Sequence, residues 1–299
     1  MSVPTSTAHD ANDAHDARVA PGTGAAAPSA ARSPRRGRPL AGVLAPLGVA
    51  AAVVGLWYVA TYLLLASDRR FLLPPFHEVV GAAVSAPTAA EILAASWRTT
   101  QVAALGLAIA FVLGFTVAVA MSQARWVERS LYPWAVFSQT VPILAIVPLL
   151  GFWFGYGWVS RVVVCVVIAL FPIIVNTLEG LRSADRQLHD LLTLAGAGRR
   201  TRLRVLQLPT AVPDILVGLR TSAGLAVTGA IVGDLFFGRG QAGLGLLISR
   251  YGSRLQSAEM LAATIAACAL GVAAFALVGW VGRRLTGHWD QRWEGTVTR

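Results

Sequence analysis

RSADRQLHDLLTLAGAGRRTRLRVLQLP, residues 182–209, is the stretch whose reading decides the fold. It is the longest polar interruption in a chain otherwise built from apolar runs. Six arginines fall in it, yet Leu188, Leu191, Leu192 and Ala195 recur at i, i+3, i+4 and i+7, one side of a 3.6-residue helix. Asp185, Arg186 and Asp190 fall mostly on the other side. Gly196 and Gly198 break that helix, because glycine costs about 1 kcal/mol in a helix interior. A second short helix is expected over 199–208, ended by Pro209. A helix–glycine–helix element hung between two membrane spans has the shape to dock into a groove on another protein.

The apolar runs on either side set the class. Of 299 residues, 55% are hydrophobic and 13% charged. An average soluble domain carries about 25% charged residues, so this is a membrane protein. The net charge of +10 does not imply nucleic acid, since arginines flanking membrane spans give the same excess. All 25 basic residues are arginine. A P-loop needs a lysine to reach the β- and γ-phosphates, so ATP hydrolysis, if required, belongs to another chain. Cys165 and Cys268 lie inside apolar runs and read as small core residues. There is no HExxH, no paired intramembrane aspartate and no serine in a nucleophile elbow. The five histidines are isolated. No catalytic residue and no metal site is expected.

The fold class expected is an all-α membrane protein of six transmembrane helices. Residues 1–38 read as a disordered tail. The cluster RSPRRGR at 32–38 either holds the tail inside or binds anionic headgroups. A first span covers 39–66, and 67–97 forms an external amphipathic segment opened by Pro74-Pro75. A domain at 98–283 holds spans at about 100–121, 131–156, 162–181, 211–237 and 260–281, with 182–209 between the fourth and fifth spans. Residues 284–299 form the C-terminus. With the amino terminus inside, the inner segments 1–38, 122–130, 182–204 and 282–299 hold 17 arginines, and the outer segments 67–98, 157–161 and 238–257 hold 7. That split predicts both termini, and the 182–209 loop, in the cytoplasm.

Two spans carry polar residues at membrane depth. In the third, Gln139 and Thr140 precede Pro142 and Pro148. Either this is a kinked helix lining a pore, or two tolerated kinks with no substrate contact. In the fifth, Arg220 is an anion contact or gate, or an arginine snorkelling to the near interface beside Asp214 or Glu179. Thr221, Ser222 and Thr228, with Gly218, Gly224 and Gly229, fit either close helix packing or a polar cavity wall. Asp234 is expected to cap or pair locally near the outer end. GRGQAGLG at 238–245 is a weak phosphate signal, because no strand–helix unit surrounds it.

The 182–209 stretch resembles the coupling (EAA) loop of ABC-importer permease subunits. That pattern is Glu-Ala-Ala, three residues, Gly, a spacer, a hydrophobic residue, one residue, then Leu-Pro. Counted back from Leu208-Pro209, the hydrophobic position is Leu206, the glycine is Gly196, and the Glu-Ala-Ala positions are Asp190, Leu191 and Leu192. The acidic charge is kept and the two alanines are leucines. Leu73-Pro74 with Val79, the run SQTVPILAIVPLLGFWFGYG from Ser138, and FPIIVNT from Phe171, which contains Asn176, resemble segments of the nitrate, sulfonate and taurine branch. GRGQAGLG is similar to the turn that follows the fifth span there.

The resemblance implies a permease in the bacterial cytoplasmic membrane that moves a small anion such as sulfonate, taurine or nitrate by alternating access. It implies two copies forming one pathway, cytoplasmic ATPase subunits that carry the ATP and Mg, and an extracytoplasmic substrate-binding protein. This chain then holds no cofactor. A pyrimidine-type vitamin precursor is the alternative substrate. An ion-coupled secondary transporter predicts mid-membrane carboxylates or histidines, and none is well placed. A membrane-embedded enzyme predicts convergent polar residues on several spans, and only isolated ones occur.

Overall fold

The structure, a computed structural model, describes residues 39–238 and 240–286. The expected tail at 1–38 and the last residues, 287–299, lie outside the described residues. The chain divides into two units, Met1–Val49 and Ala50–Arg299. The described part of the first is the beginning of helix α1 (Pro39–Val59). The second carries all the remaining elements.

In that second unit, a π-helical turn at Ala60–Leu64 and a 3-10 turn at Ser67–Leu72 lead to α2 (Phe76–Val84). The Pro74-Pro75 turn is pinned by Trp57, whose indole N–H donates to Pro74 O at 3.0 Å and whose ring meets Phe76 edge-on at 5.9 Å. Helix α3 (Ala86–Gln123) then runs for 38 residues, about 57 Å at 1.5 Å per residue. The hydrocarbon core is only about 30 Å thick, so α3 extends well past it. The helix that carries the span expected at about 100–121 therefore begins at Ala86. Pro87 sits in the first turn, where its missing N–H has no intrahelical partner to lose, so it opens a helix rather than a loop.

The third expected span departs from the reading as one kinked helix. It is two helices, α4 (Arg125–Thr140) and α5 (Ile143–Phe154), bent by 103° at the break. Pro142 drives the residue before it out of the helical region, and Val141 is extended at φ −70°, ψ 126°. Gly155, at φ +81°, frees the other end of α5. Among the described residues, five helices are long and apolar enough to span a membrane, or six if the bent pair counts as one span. No strand occurs among the described residues. The protein is an all-α, multi-pass membrane protein.

Helices α6 (Trp158–Arg182) and α9 (Leu208–Phe236) form the centre, with α3 against α6 and α11 (Ser257–Thr286) against α9. Lipid tails are as apolar as leucine, so apolar burial does not drive these contacts; close backbone approach does. Gly218, Ser222, Ala226, Gly229 and Gly233 lie at helical spacing along one face of α9. A Cβ on Gly218 would meet Asn176 Cβ at 2.9 Å, one on Gly229 would meet Cys165 Cα at 2.9 Å, and one on Gly233 would meet Arg161 Cα at 3.0 Å. The Ser222 hydroxyl donates to Ala169 O at 2.7 Å across the same contact. On α3, Gly106, Ala110, Gly114 and Ala118 repeat every fourth residue, and side chains at Gly106 or Gly114 would strike Cys165 or Ile173. Cys165 is buried in this core, as expected; Cys268 is exposed on α11.

Gly229→Leu is expected to destabilise the bundle by about 1–3 kcal/mol, because it faces backbone rather than a flexible side chain. A Cβ on Gly81 in α2 would meet nothing within 4 Å. Gly81→Ala should therefore leave stability unchanged or slightly raised. Thermal unfolding of the two variants in one detergent compares them directly.

Candidate functional site: a docking element and a bundle cavity

Between α6 and α9 the chain leaves the bundle as the element read first. Helix α7 (Arg186–Leu194) starts at Asp185, whose carboxylate accepts from Gln187 N–H at 2.9 Å. The helical pattern had placed Asp185 on the polar face; its work is at the helix start. α7 ends in a Schellman motif: Ala197 N–H donates to Leu192 O at 2.9 Å and Gly196 N–H to Thr193 O at 3.0 Å. Gly196 stands at φ +70°, a conformation a side chain resists. Here a glycine is required by geometry and not only tolerated as a break.

The second helix is longer than expected. α8 (Arg199–Arg202) passes through a π-helical turn at Leu203–Gln207 straight into α9. Pro209 does not end it. The ring of Pro209 would press on the carbonyl four residues back in a regular helix, and the wider π-turn just before it relieves that crowding. The span thus extends from Arg199 to Phe236, 38 residues, so movement of α8 is carried into the core of the bundle.

Among the described residues, the apolar side of α7 is largely uncovered. Leu188 is 47% exposed, Leu191 61% and Leu194 87%. Asp190 is exposed beside them, and Leu192 is half-buried. Leu206 is buried against the bundle, and Leu208 and Pro209 are half-buried. The element is tied down at its base. Gln123 Nε2, at the end of α3, donates to Gln207 Oε1 at 3.4 Å. Arg202 Nε donates to Ala197 O at 3.0 Å, and Arg182 pairs with Glu128 of α4. A rigid base under an uncovered leucine face can transmit force.

A cavity of about 380 Å³ lies where α4 breaks from α5, closed by α6 and α9. Ser138, Gln139, Phe171 and Thr228 line it, together with aliphatic side chains. No charged side chain is among its lining residues. Of the sequence-predicted pathway residues it gathers Gln139 and Thr228. Thr140 and Pro142 flank it, exposed at the break. Thr221 is exposed on α9 and bonds its own helix at Val217 O, 3.0 Å away. Asn176 bonds its own helix at Pro172 O, 2.8 Å away, and packs on Gly218. Ser222 is fully buried in the α6–α9 contact. The guanidinium of Arg220 lies 4.0 Å over the Phe275 ring and against Gly279, which places it between α9 and α11 and outside that cavity.

At the opposite end of the bundle Asp234, expected to cap or pair locally, is paired with an arginine that the residue pattern did not single out. Arg161 Nη1 lies 2.7 Å from Asp234 Oδ1, with the two side chains 5% and 3% exposed. Arg161 also donates to Phe237 O and Gln241 O. Asp234 accepts from Gly243 N–H at 3.2 Å and Leu246 N–H at 2.7 Å. A buried ion pair endures only when such hydrogen bonds satisfy both partners. Gly243 and Leu246, in and just after the glycine-rich stretch, therefore hold a carboxylate of their own chain. Arginine and aspartate near the same ends of two neighbouring apolar spans were the available signal. Beyond that turn, α10 (Leu244–Ser253) is held by Tyr251, whose phenol donates to Glu91 at 2.8 Å. Burial first, then the Glu91 carboxylate, pushes that phenol up to about 12, so it stays a donor at any working pH. No cluster of three or more metal-ligating side chains occurs among the described residues.

A multi-pass helical bundle with an uncovered helix–glycine–helix element between α6 and α9 has the architecture of a membrane-spanning transport subunit. Residues 106–287 match the family described as binding-protein-dependent transport system inner membrane component. The chain belongs to that family and is a permease of the ABC-importer type I class. It is 37% identical over 180 residues, 60% of this chain and 71% of the relative, to the formylaminopyrimidine transport permease protein ThiX of Halalkalibacterium halodurans. It is 35% identical to the riboflavin transport system permease protein RibX of Chloroflexus aurantiacus, over 58% of this chain and 62% of that one. The taurine transport system permease protein TauC of Escherichia coli is 27% identical over 84% of this chain and 90% of its own length.

Gly196→Pro should destroy the Schellman motif, since proline cannot adopt a positive φ or donate to Thr193 O. The expected result is loss of uptake by more than tenfold, with the α-helical circular dichroism and expression of the bundle retained.

Proposed function

We propose that this chain forms the translocation pathway of an ATP-driven importer, docking α7 and α8 on cytoplasmic ATPase subunits and taking substrate from an extracytoplasmic binding protein. The observation that carries the reading is the uncovered Leu188–Leu191–Leu194 face with Asp190 beside it, on an element rigidly continuous with α9. ATP and Mg sit on the ATPase. Closure of the ATPases pushes α7 and α8, α9 tilts with them, and the bundle alternates between its two open states. Two copies of the chain enclose one pathway, both termini lie in the cytoplasm, and the membrane is the bacterial cytoplasmic one.

The cavity favours a neutral, planar heterocycle such as a pyrimidine-type vitamin precursor. Gln139, Ser138 and Thr228 supply hydrogen bonds and Phe171 a stacking face, with no cation to repay the dehydration of an anion. The names of the ThiX and RibX relatives agree with this. A sulfonate, taurine or nitrate substrate is the second reading, and the breadth of the TauC match supports it.

A tagged chain pulled from its native membrane should bring an ABC ATPase with it, and Asp190→Arg should reduce that recovery about tenfold or more; undiminished recovery would exclude the docking role. In a strain lacking the chain, uptake of an aminopyrimidine should fall while taurine uptake persists. The reverse pattern selects the anion reading. Tags at both termini should be protected from external protease in intact cells.

A further inference from the structure

We propose that the end of the bundle opposite the docking element carries a phosphate-type oxyanion site, built by α3, α6 and residues 240–243, that holds the headgroup of an anionic membrane lipid. The site is separate from the transport cavity and does not depend on the transport reading. A pocket of about 430 Å³ is lined there by Arg98, Gln101, Trp158, Arg161, Gly240 and Gln241.

Its chemistry is one-sided. Arg98 makes one hydrogen bond among the described residues, to Ala242 O at 3.1 Å, which leaves most of its guanidinium donors to the pocket. The side-chain amides of Gln101 and Gln241 make none among the described residues. No side chain caps the N-terminus of α6, where Trp158 stands, so its first-turn N–H groups add positive partial charge. No carboxylate lines the pocket. The neighbouring acid, Asp234, is already held by Arg161, Gly243 and Leu246. Arg161 is thereby neutralised and serves as a wall, so among the described lining residues the uncompensated charge is that of Arg98. A guanidinium fork with amide donors around it matches the oxygens of a tetrahedral oxyanion.

Location selects the source. Trp97, the chain neighbour of Arg98, is 64% exposed, and Trp158, which lines the same pocket, is 50% exposed. Exposed tryptophans mark the headgroup level of a membrane protein. A phosphodiester at that depth reaches Arg98 with its acyl chains along the apolar faces of α3 and α6, whereas a free anion gains nothing from the tryptophans. Basic pockets between spans hold anionic headgroups by this means.

The test uses the full-length chain in nanodiscs of equal phosphatidylglycerol and phosphatidylcholine, with retained lipid read by native mass spectrometry. Wild-type chain should keep phosphatidylglycerol in about fivefold preference, roughly one arginine's contribution. Arg98→Gln should abolish the preference. Gln101→Leu removes an exposed amide that supports nothing else, and should lower it without disturbing the fold. Arg250→Gln, an exposed arginine of α10 outside the pocket, should leave it intact. Inorganic phosphate that raises the melting temperature of lipid-stripped wild-type chain, and not of Arg98→Gln, would uphold the oxyanion site and assign it to a solute. Equal lipid retention by wild type and Arg98→Gln, without a phosphate effect, overturns the proposal. So does loss of the preference in Arg250→Gln, which would mean diffuse surface charge.

Discussion

The close approach of α6 and α9 is the constraint on which the rest of the molecule depends. Inside a bilayer, neither hydration nor apolar transfer holds helices together, so the backbones themselves must touch. Gly218, Ser222, Ala226, Gly229 and Gly233 remove the side chains that would prevent it. The serine then adds a hydrogen bond across the gap. Once these helices are locked, α3 seats its own small-residue face on α6, and α11 packs on α9. The cavity at Gln139 and the docking element are both defined by what this pair leaves free.

The two ends of that pair are finished in opposite ways. At one end Arg161 and Asp234 are fully desolvated, and a loop is wrapped around them until every charge has partners. Opening that end would expose two charges to a poor solvent. The other end continues into α7 and α8, and Leu188, Leu191 and Leu194 of α7 are exposed there. One end resists change and the other invites contact. A bundle finished in this way can be driven from one side, which is what an importer permease requires.

α5 is a short separate helix between them. Its ends are an extended Val141 before Pro142 and a Gly155 at positive φ, so it is set apart from α4 and from α6. It remains seated through Val147, Leu150, Val164 and Phe237. The break leaves backbone without helix partners at membrane depth, which is tolerated where it lines a cavity. That is where the cavity is found.

The residue order alone determined the membrane class, the number of apolar runs and the place of the helix–glycine–helix element. Those follow from periodicity and from runs long enough to cross a bilayer, both local properties. It also placed the break at Gly196, since a left-handed position selects glycine. Its reading of prolines was less reliable. Pro209 looked like a boundary and lies inside a continuous helix, whereas Pro142 looked like a kink and is a true break. Whether a proline ends a helix depends on whether neighbouring turns can absorb its missing hydrogen bond, and that is set by what packs around it. The partnership of Arg161 with Asp234, the burial of Ser222 and the removal of Arg220 to the α9–α11 contact were likewise decided only by tertiary structure. Each joins residues on separate helices, and the rotation of one helix against another is fixed by packing that no local pattern encodes.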